Sequence, residues 1–150
     1  MSDTHAIELV LVEDNPEDLQ LTLRALRKFQ SAEHILVARD GAEAMDFLFG
    51  EGRHQTLRPD HPPRLVLLDL KLPKVEGLEV LRRVKSDPRT RAIPVVVLTS
   101  SKEQSDVVES YRLGANSYIV KPVNFEQFIH AVQSLGEYWL HLNQPSKVID

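Results

Sequence analysis

The chain has 150 residues, of which 42% are hydrophobic and 27% charged, and it contains no cysteine. These values predict one globular domain and exclude a disulfide scaffold, a thiolate metal site and a disordered chain. The 22 acidic and 18 basic residues give a net charge of -4, which argues against nucleic acid as a partner. Because no apolar run approaches the ~18 residues that span a bilayer and no signal peptide is recognisable, we expect a cytoplasmic protein without membrane contact.

The first half of the chain alternates between strand and helix patterns. Short β-branched and leucine-rich runs predict strands at residues 7–12, 34–38 and 64–69. Apolar residues at helical spacing predict helices at residues 16–29 and 41–49. Asn15 is suited to cap the first helix, with Pro16 at the first helical position and Asp18 three residues after the cap.

The second half continues the alternation after a loop. Residues 51–63 are rich in glycine, proline and charge and predict an exposed insertion. Strands follow at residues 93–98 and 117–120, and helices at residues 77–85, 103–113 and from a cap at Asn124 to about Leu142. Five strands that alternate with five helices predict an α/β fold with a doubly wound, parallel five-stranded sheet.

Charged and hydroxyl side chains stand where four of these strands end. Glu13 and Asp14 follow the first strand, Asp69 ends the third, Thr99 the fourth and Lys121 the fifth. Each residue alone is explained as well by a turn or a helix cap. Together they point to a site, because the carboxyl ends of parallel strands meet at one edge of the sheet, where open α/β folds bind ligands.

Three carboxylates at one sheet edge would repel one another. Two like charges ~4 Å apart cost about 4 kcal/mol at an effective dielectric constant of about 20. A divalent cation relieves that cost, and ligands that are all oxygen, without histidine or cysteine, favour Mg²⁺.

The ordered motifs resemble the receiver domain of two-component response regulators. They comprise Glu13-Asp14, the segment from Asp69 through Pro73 to Gly77, Thr99, and the run from Gly114 to Pro122. The resemblance covers about residues 5–136 and implies a flavodoxin-like fold, with the whole of residues 1–150 forming a single receiver domain. The connection at residues 51–63 and the tail at about 137–150 further resemble stand-alone regulators associated with bacterial phytochromes.

The resemblance assigns roles to the acidic residues. Asp69 accepts a phosphoryl group from the phosphohistidine of a sensor histidine kinase, which the narrower resemblance makes a phytochrome-type kinase. Asp14, Asp69 and the backbone carbonyl of Lys71 bind Mg²⁺ directly, and Glu13 acts through a water molecule. Glu13 stands where the family more often has aspartate, so we expect altered water geometry with Mg²⁺ binding retained.

The resemblance also assigns residues to a conformational switch that follows phosphorylation. Thr99 hydrogen-bonds the phosphoryl group, Lys121 neutralises its charge, and movement of the Thr99 loop lets Tyr118 turn inward. The peptide bond before Pro122 is expected to be cis, as in the family. The protein is then a phosphoacceptor that catalyses its own phosphorylation and dephosphorylation and is not a turnover enzyme.

The last predicted helix indicates a homodimer. Its apolar residues recur at spacings of three and four as far as Leu142, beyond the length that one domain of this size can cover. Tyr138, Trp139, Leu140 and Leu142 would then form an exposed apolar patch. We expect this patch to pair two copies of the chain, and an unidentified downstream protein to read the phosphorylated state.

Three other functions are weaker interpretations of the same residues. A phosphatase that works through an aspartyl-phosphate, like haloacid dehalogenases, would carry Asp-x-Asp where this chain has Asp69-Leu70-Lys71. A flavodoxin-like cofactor carrier would need a phosphate-binding loop after the first strand, and none is present. A phosphate-independent docking protein would not need every reactive position.

Overall fold

The computed structural model describes residues 6–50 and 61–146. Ten elements alternate in it: β1 (Leu9–Val12), α1 (Pro16–Leu26), β2 (Ile35–Ala38), α2 (Gly41–Phe49), β3 (Leu65–Leu68), α3 (Gly77–Ser86), β4 (Val95–Thr99), α4 (Gln104–Leu113), β5 (Ser117–Val120) and α5 (Phe125–Gly136). A 3₁₀ turn at Ala32–His34 precedes β2, and a π-helical turn at Glu137–Leu142 follows α5. Most of the predicted insertion, residues 51–60, lies outside the described residues.

The predicted order of strands and helices is confirmed, with ends that differ by a few residues. The caps follow the sequence: Asn15 accepts a hydrogen bond from the Asp18 amide, and Asn124 accepts one from the Gln127 amide. α1 ends at Leu26 instead of residue 29, because the Phe29 amide turns back to donate to the Leu26 carbonyl. None of the helices in the described part of the chain is long and apolar enough to cross a membrane.

All strand pairs are parallel, and the sheet has the order β2-β1-β3-β4-β5 of a flavodoxin-like fold. Side chains alternate between its faces. One face packs with α2 and α3 around residues such as Val66, Val97 and Leu81, and the other packs with α1 and α5 around Leu67, Leu98 and Val132. Because β1 lies between β2 and β3, the connections diverge at its carboxyl end, which is the usual position of a ligand site.

Residues 137–142 pack against this domain, contrary to expectation. Leu140 is 4% exposed and joins the apolar core between α1, α5 and the sheet, and Trp139 is partly buried against that core. The predicted exposed patch was therefore wrong for Leu140. The π-helical turn explains the difference: its hydrogen bonds join residues five apart, so Leu140 returns to the face of Leu135. Tyr138 and Leu142 remain exposed.

Candidate functional site

Backbone hydrogen bonds fix the predicted site residues at one edge of the sheet. The Asp69 amide donates to the Val12 carbonyl at 3.1 Å, which places Asp69 beside the end of β1. The Lys121 amide donates to the Thr99 carbonyl at 2.8 Å, which joins the ends of β4 and β5. Four strands thus present their final residues side by side, as the sequence predicted.

Glu13, Asp14 and Asp69 form an acidic cluster in which one carboxylate oxygen from each lies within 4.8 Å of the others. Glu13 and Asp69 are 2% and 6% exposed, whereas Asp14 is open to solvent. Burial raises the pKa of Glu13 above its usual value, and the charge of Asp69 raises it further, against the hydrogen bond from Lys121. Ionising Glu13 beside Asp69 is therefore costly, and the oxygen ligands of the cluster suit a divalent cation.

The Lys121 ammonium lies against three carboxylates. Its Nζ is 2.9 Å from Glu13 Oε1, 2.8 Å from Asp18 Oδ2 and 2.9 Å from Asp69 Oδ2. Burial alone lowers the pKa of Lys121, but the hydrogen bonds to Asp18 and Glu13 and the charge of Asp69 raise it above its usual value. The lysine is therefore a permanent cation beside the expected phosphoacceptor.

The peptide bond before Pro122 differs from the expectation. Residues 6–50 and 61–146 contain no cis peptide bond, so the Lys121-Pro122 bond is trans. The trans form is the more stable one for a bond before proline. With this trans bond the Lys121 side chain contacts the carboxylates of Glu13, Asp18 and Asp69.

Two glycines shape the loop between β3 and α3. A Cβ on Gly77 would lie 2.4 Å from the Asp69 carbonyl oxygen, and a Cβ on Gly41 would lie 1.8 Å from the Val75 carbonyl oxygen. Lys74 takes a left-handed conformation with φ of 70°. Because these two positions lack a Cβ, the loop can pack directly against the carboxyl end of β3. This packing explains why the Asp69-to-Gly77 motif ends in glycine.

The same loop returns to the acidic cluster at Lys71. The Lys71 amide donates to Asp69 Oδ1 at 3.2 Å, while its side chain extends into solvent. This amide orients the carboxylate through the backbone, and any residue type except proline at position 71 would supply it. The role of the Lys71 carbonyl as a metal ligand stays a prediction.

Thr99 begins a polar connection that leads away from the cluster. Thr99 is fully buried, and its Oγ1 accepts a long hydrogen bond of 3.4 Å from the Ser101 amide. The Ser101 hydroxyl donates to Asp106 Oδ2 at 2.6 Å on the first turn of α4, and the Ser101 carbonyl accepts from the Tyr118 hydroxyl at 3.0 Å. The two predicted switch residues, Thr99 and Tyr118, are thus linked through Ser101.

Sequence reasoning missed Asp18, Ser101 and Asp106 as members of the site. Asp18 carried a signal only for a helix start, and its contact with Lys121 joins residues 103 positions apart. Ser101 and Asp106 stand five apart around the start of α4, a spacing that matches no capping motif, so the sequence carries no signal for the pair. No local signal in the sequence identifies the contact between Asp18 and Lys121, because it depends on how α1 packs beside the end of β5.

Comparisons with known proteins show the family to which the chain belongs. The response regulator receiver domain family matches residues 9–133. The probable methanogenesis regulatory protein FilR2 of Methanothrix harundinacea is 44% identical over 137 residues, covering 91% of this chain and 85% of FilR2. Response regulator Rcp1 of Synechocystis sp. is 39% identical over 132 residues, covering 88% of each.

Solved structures agree as well. The phosphorylated cyanobacterial phytochrome response regulator RcpA has a TM-score of 0.85 at 39% identity, covering 95% of this chain and all of RcpA. The Mn(2+)-bound form of Rcp1 has a TM-score of 0.83 at 37% identity, covering 92% and 97%. The bacteriophytochrome response regulator RtBRR has a TM-score of 0.71 at 51% identity, covering 94% and 84%. With the acids, the threonine and the lysine at one sheet edge, these likenesses place the chain in the response regulator receiver domain family.

Proposed function

We propose that the chain is a single-domain response regulator that accepts a phosphoryl group on Asp69 from a sensor histidine kinase. The observation that carries the proposal is the placement of Asp69: its carboxylate belongs to the acidic cluster and lies 2.9 Å from the Lys121 ammonium. A nucleophile, a cation and a group of hard oxygen ligands at one sheet edge are the parts that phosphoryl transfer requires.

The transfer needs little covalent work from the protein. An Asp69 carboxylate oxygen attacks the phosphorus of the phosphohistidine and forms a P–O bond. The P–N bond breaks, and its electron pair stays on the imidazole nitrogen. Hydrolysis later reverses the modification, since water attacks the phosphorus and the Asp69 carboxylate leaves. The Lys121 ammonium would face the negative oxygens in both steps, and the buried Thr99 hydroxyl would donate to one of them.

A divalent cation fits the residues that are present. Asp14, Asp69 and the Lys71 carbonyl would hold Mg²⁺ directly and Glu13 would hold it through water. The excess of carboxylates over the single ammonium supports this assignment, as does the Mn(2+)-bound form of the relative Rcp1. When bound, the cation supplies charge neutralisation for the transferring phosphoryl group.

The kinase that we propose as donor is of the phytochrome type. RcpA is a cyanobacterial phytochrome response regulator and RtBRR is a bacteriophytochrome response regulator, and both match this chain over more than nine-tenths of its length. The output would pass from Thr99 through Ser101 to Tyr118 and α4 as a shift between two existing conformations.

We further propose a homodimer formed by the end of the chain, with an interface revised by the position of Leu140. Tyr138 is 48% and Leu142 67% exposed, and Trp139 is partly buried beside Tyr138. Exposed aromatic and aliphatic side chains of this kind are enriched in interfaces. Light scattering at tens of micromolar should report a dimer for the wild type and a monomer for the Tyr138→Ser, Leu142→Ser double variant. A monomeric wild type would exclude the dimer.

The phosphoacceptor is tested by incubation with acetyl phosphate, with Mg²⁺ or with EDTA, followed by intact mass measurement. We expect one phosphate adduct on the wild type with Mg²⁺, and none with EDTA or on Asp69→Asn. A second receiver domain that is known to react serves as the control for the donor. A wild type that stays unmodified beside a modified control would refute the proposal and favour a docking protein. Continuous phosphate release without an accumulated adduct would favour a phosphatase.

A further inference from the structure

Asp18 contacts the phosphotransfer site although it belongs neither to the acidic cluster nor to the end of a strand. It lies on the first turn of α1, and its Oδ2 is 2.8 Å from Lys121 Nζ. The lysine side chain is 8% exposed and that of Asp18 is 28% exposed. Asp18 therefore contacts the ammonium from the more exposed side of the site, and the pair is not a surface ion pair of the weak kind.

The three carboxylates around Lys121 differ in what phosphorylation would do to them. Asp69 would carry the phosphoryl group, and Glu13 would face the water shell of the cation. Both contacts with Lys121 would then have to rearrange. Asp18 has neither task, so its contact with the ammonium is the one that can persist through the cycle. An ammonium has three donor hydrogens, and one of them on Asp18 leaves two for phosphoryl oxygens.

The backbone of Asp18 is held on both sides. Its amide donates to Asn15 Oδ1 at 2.9 Å, and its carbonyl accepts from the Thr22 hydroxyl at 2.7 Å. Thr22 is buried against the core. A carboxylate on the first turn is also stabilised by the helix dipole. The Cα position of Asp18 is therefore fixed by its backbone hydrogen bonds, and its short side chain can hold the longer lysine side chain in one place.

We propose that Asp18 is a positioning residue that keeps the Lys121 ammonium beside the phosphoacceptor while Asp69 and Glu13 change partners. The inference rests on the proposed function. Without Asp18, the lysine loses its constant anchor and spends less time where the phosphoryl oxygens arrive. Phosphorylation of Asp69 becomes slower, whereas binding of Mg²⁺, to which Asp18 is not a ligand, changes little.

The test compares rate constants of phosphorylation by acetyl phosphate at saturating Mg²⁺. We expect Asp18→Ala to lower the rate constant about tenfold, the effect of losing one hydrogen bond between charged groups. Asp18→Asn, which keeps an acceptor oxygen, should lose less. Glu17→Gln is the matched control, since Glu17 is an exposed acid on the same helical turn, and we expect it to react like the wild type. Mg²⁺ titrations by calorimetry should give nearly equal affinities for all four proteins.

A double-mutant cycle with Lys121→Met separates positioning from damage to the helix. If Asp18 acts through the lysine, Asp18→Ala causes no further loss of rate in the Lys121→Met background. Thermal unfolding of the four metal-free proteins should likewise show that the two substitutions are not additive. Equal losses in both backgrounds would overturn the proposal, and so would a wild-type rate for Asp18→Ala. In those cases the wild type still takes the phosphoryl group and the proposed function stands, whereas an unreactive wild type overturns both.

Discussion

The hydroxyl group of Tyr118 donates a 3.0 Å hydrogen bond to the backbone carbonyl of Ser101, two residues after Thr99. The bond joins β5 to the loop that leads into α4. Tyr118 is half-buried, and burial raises the pKa of its hydroxyl above the usual value. The hydroxyl therefore stays protonated and donates at neutral pH. A movement of the Ser101 backbone would break this hydrogen bond or move the Tyr118 side chain with it.

Ser101 should stabilise the start of α4. Its hydroxyl donates to Asp106 and accepts from the Glu103 amide. Ser101→Ala removes both contacts from a buried position, and we expect the free energy of unfolding in urea to fall by about 1–3 kcal/mol. Hydrogen exchange of the Asp106 and Val107 amides should accelerate. Ser100→Ala is the control, because Ser100 is exposed, and equal effects of the two variants would contradict the assignment.

Gly77 should be irreplaceable even by alanine. An added Cβ would meet two backbone atoms, the Asp69 carbonyl oxygen at 2.4 Å and Leu70 Cα at 2.5 Å. We expect Gly77→Ala to lower the free energy of unfolding by more than about 2 kcal/mol, the range of severe strain. Mg²⁺ affinity, measured by calorimetry, should fall as well.

Gly136→Ala provides the comparison for that substitution. Its Cβ would meet only side-chain atoms, of Leu26 and Phe29 at 3.1 Å. The higher helix propensity of alanine, about 1 kcal/mol, offsets the small adjustment that these side chains must make. A Gly77 variant as stable as the Gly136 variant would show that the loop can move away from Asp69.

Leu140 and Leu142 should respond in opposite ways to truncation. Leu140 is 4% and Leu142 67% exposed. At low protein concentration we expect Leu140→Ala to lower the free energy of unfolding by about 2–5 kcal/mol, the cost of a cavity in a core. Leu142→Ala should change it by less than about 0.5 kcal/mol. The reverse order would mean that the π-helical turn does not form in solution.

Lys85 should make the stability rise with pH in the alkaline range. Its ammonium donates to the carbonyls of Arg91 and Ile93 and to Asn116 Oδ1, but burial lowers its pKa from 10.5 to about 8. Between these two values the unfolded chain binds more protons than the folded one, so the free energy of unfolding increases with pH there and is independent of Lys85 titration below the window.

Urea unfolding of wild type and Lys85→Met at pH 7.5, 9 and 10 measures this effect. The difference in stability between the two proteins should shift in favour of the wild type as the pH rises. Methionine does not titrate, so it isolates the contribution of the lysine from the other groups of the chain. A difference that is constant with pH would mean that the ammonium keeps its ordinary pKa in the folded protein.

The order of elements could be predicted because each strand is a nearly continuous apolar run and each helix has a cap or a glycine at its boundary. Glu13, Asp69, Thr99 and Lys121 could be placed together because parallel topology brings the strand ends to one edge. The orientation of their side chains could not be predicted from the sequence. The Asp18 side chain turns toward a lysine 103 residues away, and the sequence around α1 indicates only that the Asp18 amide is capped by Asn15.

Helical structure does extend to Leu142 as predicted, but the burial of its last turn was mispredicted for a related reason. Spacings of three and four continue through Trp139 to Leu142, which favours a regular α-helix. The structure widens to a π-helical turn after Gly136 and buries Leu140 instead. Contacts with distant residues accompany that turn, since His141 Nε2 lies 3.0 Å from the Phe29 carbonyl oxygen and Arg64 donates to the Asn143 carbonyl.

The hydrogen bond from the Lys121 amide to the Thr99 carbonyl belongs to the rigid part of the site. The backbones of Asp69, Thr99 and Lys121 are hydrogen-bonded to neighbouring strands, so the sheet fixes the distances between these residues. Adjustment is then left to the segment that follows β4, which is Ser101 with the start of α4, because the loop from Leu70 to Gly77 is packed tightly against β3. If Asp69 takes the proposed phosphoryl group, the response would therefore be confined to this one loop and the core would keep its packing.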